Sequence, residues 1–180
     1  MCKLKKVTID YVPVEDRVRL SGECEQGGQL AIWLTRRLLD RLLPVLLDWI
    51  EQHAADVPGT ATRAETGAPN RRLPRAEPLQ GFAQHAARQH LVPQAPVRPG
   101  ADDASWLAAA VDVKRGRQGV RLALRGARRE QRADLQLQVK VLRNWLNILH
   151  DSYRKADWPL DVWPDWVREA ATPTPAVVRH

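Results

Sequence analysis

Leu135-Gln136-Leu137-Gln138-Val139-Lys140-Val141-Leu142-Arg143-Asn144-Trp145-Leu146-Asn147-Ile148-Leu149 changes its hydrophobic period once, and that change decides the fold class. From Leu135 to Val141 every second residue is apolar, the pattern of a half-buried strand. Beyond it, Leu142, Trp145, Leu146, Leu149 and Tyr153 recur at three- and four-residue steps, the pattern of a helix face. Two further alternating runs precede this strand. Val120, Leu122 and Leu124 alternate with Arg121, Ala123 and Arg125, and Ala109, Val111 and Val113 alternate with Ala110, Asp112 and Lys114. Turns fall at Gly116–Gly119 and Gly126–Arg132. Residues 105–168 therefore read as a β-β-β-α unit with a Trp-rich C-terminal segment.

The same order occurs in residues 1–52. Val7, Ile9 and Tyr11 alternate with polar neighbours, Val18 and Leu20 follow a turn, and Leu30, Ile32 and Leu34 follow Gly27-Gly28. After Thr35, a candidate N-cap, the period becomes helical through Leu38, Leu39, Leu42, Val45, Leu46, Trp49 and Ile50. Val18-Arg19-Leu20 also matches Val120-Arg121-Leu122. The expected fold is α+β: two β-β-β-α repeats with pseudo-twofold packing, forming antiparallel sheet covered by two helices. The first helix is apolar around most of its circumference, which fits a central helix or a homodimer face. Pro44 lies inside it and removes one hydrogen bond.

Between the two units, residues 53–104 carry no period. They hold seven of the thirteen prolines and four of the ten glycines, among Ala, Arg and Gln. Such a stretch buries too little apolar surface to offset its ordering entropy, so a long disordered linker is expected, with a short helix near Gln80–Gln89. Residues 169–180 read as a disordered tail.

The formal charge of +7 and pI near 10.0 come mainly from arginine, 22 against 6 lysines. With plentiful Ala and Pro this suggests a high-GC bacterial genome. Residues 1–52 are balanced, so the excess lies in the second unit. From Lys114 to Arg132, the cations Lys114, Arg115, Arg117, Arg121, Arg125, Arg128, Arg129 and Arg132 are opposed only by Glu130. Gathered on one surface, they would suit a phosphate backbone or an acidic protein partner. No interleaved aromatics accompany them for base stacking.

Tryptophan is the second signal: seven residues, against one Phe and two Tyr. By its alternation Trp33 faces outward, and Trp158, Trp163 and Trp166 cluster among prolines, with Pro164 placed to restart a helix. Trp33, Trp158, Trp163 and Trp166 are candidate protein-interface anchors, tryptophan being favoured in such anchors.

No P-loop, G-x-S-x-G, H-E-x-x-H or G-x-G-x-x-G is present, so no catalytic residue, cofactor or metal is expected. Of the five histidines only His150 sits in a regular element, where it reads as a solvated helix residue. Cys2 and Cys24 read as unbridged thiols in a cytoplasmic protein. There is no apolar run near the roughly 20 residues of a membrane span and no secretory signal pattern. The expected function is a non-enzymatic protein-interaction module (adaptor, assembly factor or chaperone-like subunit). The alternative is a nucleic-acid-binding accessory protein using the basic 114–132 region.

Overall fold

Thr35 is the point where alternation gives way to a helix. Its Oγ1 accepts a hydrogen bond from the Leu38 N–H at 3.2 Å, satisfying one of the donors that a helix start leaves open. The computed structural model describes residues 2–53, 81, 83–84 and 95–170. Its elements are β1 Cys2–Val12, a 3-10 turn Pro13–Glu15, β2 Arg17–Cys24, β3 Gln29–Leu34, α1 Arg36–Gln52, β4 Ala104–Leu107, β5 Ala110–Arg115, β6 Gly119–Arg125, β7 Arg132–Gln138, α2 Val139–Lys155 and α3 Asp165–Ala170. The mixed α/β content matches expectation. Helical structure extends beyond two helices, through α3 and the helical backbone at Gly81, Ala83 and Gln84.

All seven strands belong to one sheet, ordered β4-β3-β2-β1-β7-β6-β5. Within each three-strand run neighbours are antiparallel, but β1 pairs with β7 and β3 with β4 in parallel. The expectation of purely antiparallel sheet is therefore corrected. Each parallel seam joins one run to the other, and each is short: Cys2–Leu4 with Ala133–Leu135, and Leu30–Trp33 with Ala104–Leu107.

The two end strands of this order are consecutive in the chain. Between them the Ala108 N–H donates to the Trp33 carbonyl of β3 (2.9 Å), and the Ala109 N–H donates to the Arg125 carbonyl of β6 (2.8 Å). The sheet thus curls until one run of chain serves both ends. Its concave face carries the core. Ile9, Leu20, Ile32 and Trp106 form one row in register, and Leu4, Leu135, Leu122 and Val113 form another.

α1 packs against β5, and α2 against β1, β7 and β6. The apolar girth of α1 is spent inside the chain: Leu39, Leu42, Leu43, Leu46, Leu47, Trp49 and Ile50 are buried, and the helix runs through Pro44. The Tyr153 hydroxyl ties α2 to α1 by donating to Asp40 Oδ1 at 2.8 Å. Beyond α2 the chain reverses at Asp157, whose φ is 53°, and Pro164 precedes α3 as expected for a helix restart.

Four local expectations are corrected. Val139 and Val141 lie in α2, not in β7: Gln138 holds the extended cap position, and Val141 is 48% exposed where a strand would turn it inward. Lys140 likewise belongs to α2. Cys2 and Cys24 form a disulfide, because the register puts Leu4 opposite Cys24 and brings the two cysteine Cα atoms within 5.5 Å, inside bridging range. The expected linker shortens at its end, since residues 95–103 lead into β4 and the buried Val97 donates its N–H to Thr8 Oγ1 at 2.8 Å. The remainder of that stretch (54–80, 82 and 85–94) and residues 171–180 lie outside the described residues.

Two substitutions test the curled sheet. Ile32→Ala removes a fully buried side chain between Leu20 and Trp106 and should cost about 2–5 kcal/mol. Gly119→Ala should cost about 1–3 kcal/mol, because an added Cβ would sit 2.2 Å from the Leu137 carbonyl oxygen of β7. Urea unfolding of both variants gives the numbers. A Gly119→Ala midpoint equal to the parent's would contradict the close β6–β7 approach.

Candidate functional site

Six of the seven tryptophans are buried, and only Trp33 stays partly exposed. It sits on the convex face of β3, between the inward-facing Ile32 and Leu34. Register places it in an outward row across four strands: Asp10 on β1, Arg19 on β2, Trp33 on β3 and Leu107 on β4. The indole N–H donates to Ser105 Oγ at 2.9 Å, which fixes the ring. The Arg19 guanidinium carbon lies 6.0 Å from the ring centroid, at cation–π range, and its Nη2 is 3.9 Å from Asp10 Oδ2. Arg19 Nε is a buried atom with no hydrogen-bond partner among the described residues, and Leu107 is 43% exposed. The neighbouring outward row, Thr8, Ser21, Ala31 and Ser105, is partly covered: Ser21 and Ala31 are buried, and Thr8 Oγ1 accepts from the Val97 N–H.

The tail tryptophans face the chain itself. Trp158 packs edge-on to Tyr11 and Tyr153 and donates to Asp16 Oδ1 at 2.9 Å. Trp163 packs against His150 and Tyr153, and Trp166 donates to Glu51 Oε1 at 3.1 Å. Their burial leaves Trp33 as the one expected anchor open to a partner.

The basic segment runs the length of β6, with Lys114 opposite Arg121 and Arg125 opposite Arg132 in register. Its two turns lie at opposite ends of β6, which at seven residues separates them by roughly 20 Å. Three of its cations are also spent internally. Arg115 pairs with Asp48 at 3.0 Å and donates to the Val45 carbonyl, Arg125 pairs with Asp112 at 2.7 Å, and Arg121 grips both oxygens of the buried Asp134 at 2.8 and 3.2 Å. The Asp134 hydrogen bond holds the Arg121 guanidinium pKa above its ordinary value. Lys114 and Arg117 at one end, and Arg128, Arg129 and Arg132 at the other, are exposed with no ion pair among the described residues. The self-neutralisation was legible in principle, since alternation puts Asp112 and Asp134 on the same outward face as Arg121 and Arg125.

A polar stripe on α2 was missed. Arg143, Asn147 and His150 follow one another at helical spacing and are buried, so the solvated reading of His150 is corrected. Gln84 covers them. Its Nε2 donates to the Arg143 carbonyl and to Asn147 Oδ1, both at 2.9 Å, and its Oε1 accepts from Arg143 Nη1 at 3.2 Å. The Arg143 guanidinium lies 5.7 Å from the Trp166 ring centroid, and burial pushes its pKa down to about 10. The stripe thus works as an internal anchor for Gln84.

A groove of about 340 Å3 between α1 and the tail is lined by Asp48, Glu51, Asp161 and Trp163. Asp48 is engaged by Arg115 and by Gln52, and Glu51 by Trp166. Among the described residues, no three His, Cys, Asp or Glu side chains are grouped to hold a metal ion, and no helix is long and apolar enough to cross a membrane. No protein-family model matches the chain, and neither a curated protein nor a solved structure matches it.

The alkaline limb of stability reports on Tyr153. Burial, and then its hydrogen bond to Asp40, raise the phenol pKa well above the ordinary 10.0. Above that pH the unfolded chain loses the phenol proton while the folded chain keeps it, so stability falls as pH rises. Burial lowers the Arg143 guanidinium pKa, which acts in the opposite sense. Tyr153→Phe should cost about 1 kcal/mol at neutral pH and flatten the decline above pH 10. Denaturant midpoints across that range, parent against variant, measure the difference. Parallel curves would mean that Tyr153 is not protonated and buried as described.

Proposed function

We propose that this protein is a non-enzymatic protein-interaction module that recognises its partner through the outward row of Arg19, Trp33 and Leu107. One observation carries the reading: in a chain that buries every other tryptophan, Trp33 is held at the surface. Its ring is fixed by Ser105, flanked by an arginine and set beside an exposed leucine. Trp and Arg dominate binding hot spots because each offers a large contact area with a directed donor. Ordering the ring in advance lowers the entropy cost of association.

The reading drops α1 and the tail as contact surfaces, since both are buried by the chain itself. A cytoplasmic setting remains part of the proposal. So does internal duplication, which the topology favours: each parallel seam joins the last strand of one run to the opening strands of the other, and each run ends in a helix. A second reading rests on the β6–β7 turn, where Arg128, Arg129 and Arg132 are exposed together. It assigns that end to a nucleic-acid backbone.

A photo-crosslinking phenylalanine analogue at position 33 should capture one defined partner, and the same analogue at the exposed position 136 should not. Trp33→Ala should then weaken binding of that purified partner by about tenfold or more, with the thermal midpoint held. Unchanged affinity would sink the reading. Duplex DNA or RNA binding that weakens steeply with salt, and is abolished by Arg128→Glu with Arg129→Glu, would put the second reading in its place.

A further inference from the structure

The β1–β7 seam consists of three register pairs, all within Cys2–Leu4. On its other side this short segment is weakly held. The β1–β2 ladder shifts between Leu4 and Lys6, leaving Leu4 opposite Cys24 and the Glu25 N–H donating to the Lys3 carbonyl at 2.8 Å. Cys2–Leu4 is therefore a tab between β2 and β7, set off from the rest of β1 by an irregularity. The disulfide fastens this tab, joining Cys2 to Cys24 at the end of β2. Both cysteines are half-buried against the core edge, within reach of a small thiol.

We propose that Cys2–Cys24 is a thiol–disulfide exchange site that latches the β1–β7 seam. An external dithiol is the co-reactant. One of its thiolates attacks a cysteine sulfur, the S–S bond breaks and a mixed disulfide forms. The second thiol of the reagent resolves that intermediate, leaving as a cyclic disulfide. Cys2 and Cys24 together gain two electrons and two protons, and the dithiol loses the same number.

Without the covalent tie, the tab keeps only a few backbone hydrogen bonds on either side. Segments of that kind open locally at low cost. Opening unpairs the β7 edge from Ala133 to Leu135 and uncovers Leu4, which packs opposite Leu135. The other seam, β3 with β4, is untouched by the cysteines and keeps the two runs joined. Oxidation restores the closed sheet. This inference stands apart from the Trp33 row and does not depend on it.

Amide hydrogen exchange on the full chain tests it, before and after complete reduction by dithiothreitol, with intact mass reporting the gain of two hydrogens. Reduction should speed exchange by about tenfold or more at Lys3, Leu4 and Ala133 to Leu135. Leu20, Ile32 and Leu122 should stay protected. Oxidised glutathione should reverse the change, and Cys24→Ser should show the reduced pattern permanently. Seam amides unmoved by full reduction would overturn the latch, and so would a uniform loss of protection across the sheet, which marks a global staple. Failure to form the bond under oxidised glutathione would overturn it too. Should Cys24→Ser not fold, reduction and reoxidation of the parent chain still decide the question.

Discussion

Two short parallel seams hold this structure together as one sheet. Each run of three antiparallel strands, left alone, would expose two edges of unpaired N–H and C=O groups, an invitation to aggregate. The seams remove much of that exposure. They need Cys2–Leu4 on one side and the four-residue β4 on the other. That β4 and β5 are consecutive follows from the curl: the chain leaves β3's flank at Leu107 and reaches β6's flank at Ala110. The core then follows, because curling brings both apolar faces together in the rows through Ile32 and Leu122.

Short seams leave strand length beyond them without a parallel partner, and the helices answer this. β1 continues from Lys5 to Val12 with no pairing to β7, and α2 packs against both strands. The run after α2 then supplies large rings instead of more regular structure. Trp158 reaches Asp16, while Trp163 and Trp166 both lie at α1, one lining its groove and the other bonding Glu51. A proline-rich tail can do this because a tryptophan buries much area for few ordered backbone residues.

Legibility followed the distinction between local and nonlocal information. Alternation at Leu30, Ile32 and Leu34 and the period change at Thr35 are local, and both survive in β3 and α1. The seam partners are nonlocal: nothing in Cys2–Leu4 names Ala133–Leu135. The bridge between Cys2 and Cys24 was illegible for a related reason: the regular hairpin register would set Cys24 opposite Lys5, and only the shift between Leu4 and Lys6 brings the two cysteine Cα atoms within 5.5 Å. At the β7–α2 junction Val139 and Val141 satisfy both periods, and only burial separates them. The Arg143–Asn147–His150 stripe was unreadable for another reason. Its cover, Gln84, comes from a stretch without periodicity. Of the site, Trp33 facing outward was legible by parity alone, while its neighbours Arg19 and Leu107 required strand order.

The curl also bears on how the molecule can bind. Strand addition needs an open edge, and β4 and β5, the two ends of the strand order, are each paired to a strand on one side only. The convex face presents side chains as well as these edges. There the second half spends its arginines on Asp112 and Asp134, while the first half leaves Arg19, Trp33 and Leu107 partly uncommitted. An opened seam would add further unpaired backbone to these edges. Of the two seams, the one at Cys2–Leu4 is shorter, and it alone carries a bond that chemistry can break without unfolding the chain. Surface row and latch thus draw on two features of one curled sheet: side chains aligned in register on its convex face, and backbone held by two short parallel pairings.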